Sequence, residues 1–187
     1  IEMNYINNIR NAIPNPTSNS IMQKVMPMSQ KDGFFTLSSD GKPKSIGGYM
    51  TTAVDSKQFQ KYNDIYDGMR LDYSGSEFTS TAATECIVVR FKSLDVDNLY
   101  IPRNKNNGGL LNDPLDSSPY NKNLPPFTGN GFTSGKNGTL GVPEWKVDFG
   151  KNLRLEDGAE MYKIDSMGNE LLIGMYDESK MIFITKI

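Results

Sequence analysis

Apolar residues recur at Ile1, Tyr5, Ile6, Ile9 and Ile13, close to a helical period, until Pro14 and Pro16 end the pattern. This spacing predicts a short amphipathic helix over Ile1–Ile13. A further helical turn is expected where Ser20 can cap Ile21, Val25 and Met26 ahead of Pro27, so residues 1–30 read as a helical segment. From Lys31 the character changes. Gly33-Phe34-Phe35-Thr36-Leu37 reads as a strand, and Ser38-Ser39-Asp40-Gly41-Lys42-Pro43 as the turn after it. Gly47-Gly48-Tyr49-Met50-Thr51-Thr52 predicts another strand. It leads into a helix over Asp55–Met69, where Phe59, Tyr62, Ile65, Tyr66 and Met69 fall at helical intervals.

The run Glu85–Lys92 is β-branched and continuously apolar apart from Arg90, as expected of a strand lying centrally in a sheet. Leu99-Tyr100-Ile101-Pro102 is a weaker strand. Between Arg103 and Thr139 the residues are mostly Asn, Gly, Pro, Ser and Lys, which cannot build a core and predict one long irregular loop. The less polar middle of that loop, Leu124 to Thr133, is expected to fold over a pocket. Strands follow at Val142–Phe149, Gly158–Ile164, Glu170–Met175 and Met181–Ile187, with a tight turn at Ser166-Met167-Gly168-Asn169. There is no internal repeat. The order predicts a single α+β domain over residues 1–187, with helices early and a mainly antiparallel sheet later. Alternating βαβ units and a Gly-rich turn opening a helix are missing, which excludes a Rossmann-type nucleotide domain, and no P-loop pattern occurs.

Composition narrows the chemistry. The chain has no histidine, so His-dependent triads are excluded and no zinc site can use an imidazole. Acid–base work must fall to carboxylates, hydroxyls, Tyr, Lys or Arg, and no metal is expected. The one cysteine, Cys86, cannot form an internal disulfide and sits in an apolar run as a small buried hydrophobe. Lys and Arg number 20 against 22 acids, a net charge of −2 with no long basic run, which argues against strong non-specific nucleic-acid binding. No apolar stretch reaches membrane-spanning length and no signal-peptide pattern opens the chain, so a soluble domain is expected. The start at Ile1 in place of Met reads as a piece of something longer.

Two short constellations can carry chemistry. Gly48-Tyr49-Met50-Thr51-Thr52-Ala53 ends a strand in hydroxyls that can orient a carboxylate or hold a ribose, although Thr-Thr also suits any strand. Gly141-Val142-Pro143-Glu144-Trp145-Lys146-Val147 sets a lone carboxylate beside the only tryptophan, just after the long loop. A half-buried Glu there can hydrogen-bond sugar hydroxyls and stabilise positive charge at an anomeric carbon; the plainer alternative is a solvent-facing Glu alternating with a core Trp. The arginines are Arg10, Arg70, Arg90, Arg103 and Arg154. Arg90 interrupts an apolar strand and must reach water, a carboxylate or a phosphate, and Arg70 stands near Asp72 and Tyr73. Each serves either a structural ion pair or an anionic ligand.

Taken in order, these segments resemble the bacterial ADP-ribosyltransferase toxin fold, which also hosts NAD glycohydrolase toxins. The family's Gly-aromatic-x-Ser-Thr-Ser strand is similar to Gly48–Ala53, and its next apolar strand ending near a proline resembles Ile87–Phe91 through Tyr100-Ile101-Pro102. Its strand bearing the catalytic glutamate resembles Pro143–Val147, with Leu155–Ile164 as the strand after an acidic-Gly turn. The resemblance spans about Gly47 to Ile164 through short motifs. It implies cleavage of the nicotinamide–ribose bond of NAD, a substrate here, with Glu144 stabilising the oxocarbenium-like transition state and Thr51 and Thr52 positioning Glu144. Arg90 or Arg70 would hold the diphosphate, Tyr49 or Phe132 would stack on nicotinamide, and Thr133 would line the same cleft. Three departures matter. Ala53 replaces the last hydroxyl, Glu-x-Glu becomes Glu144-Trp145-Lys146, and the family's early Arg has no clear match, Arg10 lying upstream in a poor context. The missing first acid favours hydrolysis, or transfer to an acceptor whose class, protein or nucleic acid, stays open. The resemblance further implies a secreted effector acting in a target cell's cytoplasm, with a cognate immunity protein as partner.

Two other classes stay open on the sequence. A metal-independent ribonuclease toxin would use Arg70, Arg90, Lys92, Thr133 and Glu144, with cations on the pentavalent phosphate and Glu144 as base. A non-catalytic binding module would use the Asn/Gly-rich loop as its recognition surface.

Overall fold

The computed structural model describes residues 2–72, 75–79, 83–103, 129–134 and 140–186. In chain order these form α1 (Glu2–Ala12), β1 (Met22–Met26), α2 (Lys31–Phe34), β2 (Ser45–Ile46), β3 (Tyr49–Thr52), α3 (Tyr62–Gly68), β4 (Glu85–Phe91) and β5 (Leu99–Tyr100). After the polar stretch come β6 (Phe132–Ser134), β7 (Leu140–Pro143), β8 (Trp145–Val147), β9 (Leu153–Arg154), β10 (Glu160–Asp165), β11 (Glu170–Asp177) and β12 (Ile182–Thr185). Eight strands join in the order β12-β11-β10-β4-β1-β3-β8-β5, and every recorded pairing between them is antiparallel. The chain is therefore α+β, with three short helices among the described residues and a mainly antiparallel sheet. No helix among those residues is long and apolar enough to cross a membrane.

The sheet is organised around β4. Cys86, Ile87, Val88 and Val89 are each fully buried, because the strand is covered on both faces and so needs no polar alternation. Ile87, Val89 and Phe91 join Met22, Met26, Met50, Trp145, Met161, Tyr176 and Phe183 in the larger core. Cys86 and Val88 face the other way, onto Ile164 and onto Tyr62 and Ile65 of α3. Burial pushes the Cys86 thiol up to about 12, so it stays protonated and acts as a small hydrophobe. Arg90 lies on this second face, where its side chain reaches the sheet's polar rim.

Several local expectations are corrected. Residues 22–26, expected to be a helical turn, form β1, and the strand lies between β4 and β3 near the centre of the sheet. Three apolar residues ahead of a proline fit a helical turn and a strand equally, and pairing along all of Met22–Met26 with β4 decides for the strand. The strand expected at Gly33–Leu37 is instead the end of α2 and a turn. Phe34 and Phe35 are side by side in sequence yet both pack on Phe183, with ring centroids 5.9 and 6.3 Å away, which an alternating strand cannot do. The helix expected from Asp55 begins only at Tyr62. Before it the Asp55 carboxylate accepts from the Thr52 hydroxyl at 2.5 Å, and the Ser56 hydroxyl donates to the Thr52 carbonyl at 3.0 Å. Such side chains hold the backbone in turns.

The strand expected over Val142–Phe149 is interrupted at Glu144, which separates β7 from β8. The turn at Ser166–Asn169 is as expected, with the Asp165 carboxylate accepting from the Met167 and Asn169 N–H groups at 2.9 Å each. Most of the long loop, residues 104–128 and 135–139 with Leu124 to Thr128, lies outside the described residues. The segment 129–134 is described and leads into β6, which pairs with β7.

Two junctions bring the middle of the chain to the site. β3 pairs with β1 only through Thr51 and Thr52, then turns to β8 through Tyr49 and Met50. Where β1 and β3 part, the Lys24 ammonium donates to the Tyr49 carbonyl at 2.7 Å. On the far side, the segment around Gly131 lies against both α1 and Glu144.

Candidate functional site

Glu144 stands half-buried at the corner between β7 and β8, and its backbone is held on both sides. The Thr51 hydroxyl donates to the Pro143 carbonyl at 2.7 Å, the Glu144 N–H donates to the Gly131 carbonyl at 2.9 Å, and Arg10 Nη2 donates to the Glu144 carbonyl at 3.0 Å. The β3–β8 register pairs Tyr49 with Lys146 and Met50 with Trp145, and carried one step further it sets Thr51 opposite Glu144. Because alternate residues of a strand share a face, Thr51 and Tyr49 lie on the Glu144 side while Met50 and Trp145 turn into the core.

Arg10, on the last turn of α1, is fully buried. Its guanidinium lies 4.4 Å from the Trp145 ring and 5.8 Å from the Phe132 ring, and Nε donates to the Gly131 carbonyl at 2.8 Å. Among the described residues Nη1 is buried with no hydrogen-bond partner. Burial, followed by repulsion from Arg103, brings the Arg10 pKa down to about 10, while Glu144 and Asp55 pull it back up. Arg103 itself donates to the side chains of Asn7 at 3.1 Å and Asn11 at 2.6 Å, so one face of α1 is tied to the strand-β5 end of the sheet. Trp145 Nε1 donates to Asn15 at 3.2 Å.

Lys24 is the second cation. Burial brings its pKa down to about 8 against the opposing pull of Glu144. It borders a cavity of about 300 Å³ lined also by Phe34, Ser45, Gly47, Gly48 and Phe78. Gly48 has φ +73°, and a Cβ there would come within 3.1 Å of the Lys24 nitrogen. Glu144 is not among the residues lining this cavity; the link between the two runs through Lys24. A larger open depression of about 740 Å³ lies at the β11–β12 end. Its acids serve the local turns, Asp157 accepting from the Glu178 N–H and Asp177 from Ser179 and Lys180.

Lys24 makes stability pH-dependent in a defined direction. Between pH of about 8 and 10.5 the unfolded chain keeps a proton on this amine that the folded chain has released, so this group's contribution to stability rises with pH across that window. Its cost is fully present below about 8. Lys24→Met carries no proton at any pH. Melting temperatures at pH 7.5 and 9.5 are expected to show wild type gaining on the variant as pH rises; a loss would contradict the assignment.

The remaining predicted residues divide clearly. Thr51 lies against the Pro143–Glu144 peptide, and Tyr49 pairs with Lys146, its ring 5.0 Å from that ammonium. Thr52 is turned to Asp55. Phe132 is 2% exposed and packs against Arg10, and the Thr133 hydroxyl accepts from the Val142 N–H at 3.0 Å. Arg90 is engaged elsewhere, with Nη1 and Nη2 on the Glu170 carboxylate at 2.7 and 2.9 Å, Nε on Gln23 at 2.9 Å and the Tyr162 ring 4.7 Å away. Arg70 pairs with Asp72 at 2.9 Å beyond the end of α3. Lys92 is exposed. The set Arg70, Arg90, Lys92, Thr133 and Glu144 is thus spread over separate contacts.

Sequence reasoning passed over Lys24 and Asp55, and set Arg10 aside. Lys24 carried a signal, a charge between Gln23 and Val25 in a run otherwise bounded by apolar residues, and Arg10 carried one in its place on the helix about one turn before Pro14. Among the described residues no three His, Cys, Asp or Glu side chains converge as a metal site. Compared with known proteins, the chain matches no family model, no curated protein and no solved structure.

Proposed function

We propose that this chain cleaves the N-glycosidic bond between nicotinamide and ribose in NAD, with Glu144 as the acting carboxylate and water or another acceptor taking the ADP-ribosyl group. The observation that carries this reading is the half-buried Glu144, its backbone held by hydrogen bonds on both sides and its charge within the field of Lys24 and Arg10. A preorganised anion of this kind can stabilise a sugar cation as the base departs, because little reorganisation is needed as charge develops. Loss of nicotinamide from NAD produces such a cation, and the leaving group departs neutral.

The other residues take supporting parts. Thr51 steadies the peptide ahead of Glu144, and Thr52 holds Asp55 in the adjoining turn. Lys24 brings a cation to the rim of the 300 Å³ cavity, where it can meet one anionic group of the dinucleotide, and Tyr49 offers a ring on the Glu144 side. Arg90 and Arg70, already held by Glu170 and Asp72, are less suited to the diphosphate than Lys24. The likeness to the ADP-ribosyltransferase toxin fold supports the same reading through Gly48–Ala53 and Pro143–Val147. It also supports a role as a delivered effector with an immunity partner.

The test is an incubation of the purified chain with NAD and, separately, with RNA. Free nicotinamide without RNA fragments is the expected result. RNA cleavage with intact NAD supports the nuclease class, and neither product supports a binding module.

A further inference from the structure

We infer that Arg10 is a positioning residue, which from helix α1 fixes the peptide of Glu144 and so sets how well that carboxylate meets its substrate; the inference rests on the reading of Glu144 as the acting group. A fully buried guanidinium whose Nη1 has no hydrogen-bond partner among the described residues costs more at a core position than an apolar side chain would. Its return is geometric. The Gly131 carbonyl accepts from both Arg10 Nε and the Glu144 N–H, while the Glu144 carbonyl accepts from Arg10 Nη2. These three groups close a ring of hydrogen bonds around the peptide that carries the carboxylate.

The surroundings are shaped to this ring. Gly131 has φ +80°, and a Cβ there would lie 2.7 Å from Arg10 Nε and 2.5 Å from Ile101 Cγ2, so the backbone approaches the guanidinium as no other residue would allow. The Trp145 ring covers the guanidinium at 4.4 Å, which holds its plane while leaving the edge to make hydrogen bonds. A lysine can keep the charge over the indole but cannot supply Nε and Nη2 together. Thr51 fixes the peptide before Glu144 and Arg10 the peptide after it. Displacement of a reacting group by about 1 Å lowers turnover by about 100-fold, so a clamp of this kind acts on rate more than on binding.

The experiment compares Arg10→Lys, Arg10→Met and Glu144→Gln with wild type, reading kcat and KM for NAD, melting temperature and Trp145 emission. With one tryptophan in the chain, the emission reports this corner alone. Arg10→Lys is expected to lower kcat about 10-fold or more with KM within about threefold and emission near that of wild type. Arg10→Met is expected to approach the Glu144→Gln rate and to alter the emission. Wild-type kcat in a folded Arg10→Lys, or a loss confined to KM, overturns the positioning role, and Arg10→Lys decides if Arg10→Met does not fold. Unchanged turnover in Glu144→Gln removes the reading of Glu144 itself, and is told apart because it does not depend on either Arg10 variant.

Discussion

Glu144→Gln is expected to lower nicotinamide release by about 10²- to 10³-fold, the scale seen when one preorganised electrostatic group is removed from a site. The substitution keeps the shape, removes the charge and turns one accepting oxygen into a donating amide nitrogen. Hydrogen bonds to Gly131, to Arg10 and, one peptide earlier, to Thr51 hold its backbone. The substitution leaves those backbone bonds in place, so the variant is expected to fold, with a melting temperature within about 3 °C of wild type. The effect should fall on kcat, since a cation forms only in the transition state. Chromatographic measurement of nicotinamide beside circular dichroism checks both halves. A folded variant with wild-type turnover would remove Glu144 from the chemistry.

Gly141→Ala is expected to destabilise the protein by about 3 kcal/mol or more, at the upper end of overpacking effects. A Cβ at this position would lie 1.4 Å from the Thr133 carbonyl oxygen, 2.3 Å from its carbon and 2.4 Å from Thr133 Oγ1. Two of those atoms belong to backbone, so no rotamer change relieves the overlap and β6 must move away from β7. The movement would break the bond between the Val142 N–H and Thr133 Oγ1, and it would pull on Gly131, two residues before Thr133. For a chain of this size the loss corresponds to about 6 to 12 °C in melting temperature. A scanning calorimetry trace measures it, and an unchanged midpoint would show that the β6–β7 pair opens freely.

How much of this was legible in the sequence depends on what sets each element. The first helix, the buried run at Glu85–Phe91 and the C-terminal strands follow from local periodicity, and α1, β4, β10, β11 and β12 appear close to where the pattern puts them. β1 and α2 were not legible, because Met22–Met26 takes its conformation from pairing with β4 and because Phe34 and Phe35 take theirs from a shared partner, Phe183. The break at Glu144 was hidden for the same reason. Val142 to Val147 alternates like one strand, but the Glu144 N–H is taken by Gly131, a residue the pattern does not connect to it. Arg10 shows the limit most plainly. Its neighbours in sequence are ordinary for a helix, and its meaning comes from groups on the far side of the long loop.

That separation has a consequence for when the molecule becomes competent. Arg10 reaches Gly131 across 121 positions and Glu144 across 134, and Thr51 reaches Pro143 across 92. Contacts of such reach close late, because the entropy of bringing distant segments together must be met before they contribute. A chain that has folded only locally holds the residues of the corner without their arrangement. The arrangement around Glu144 therefore forms only when these distant segments have come together.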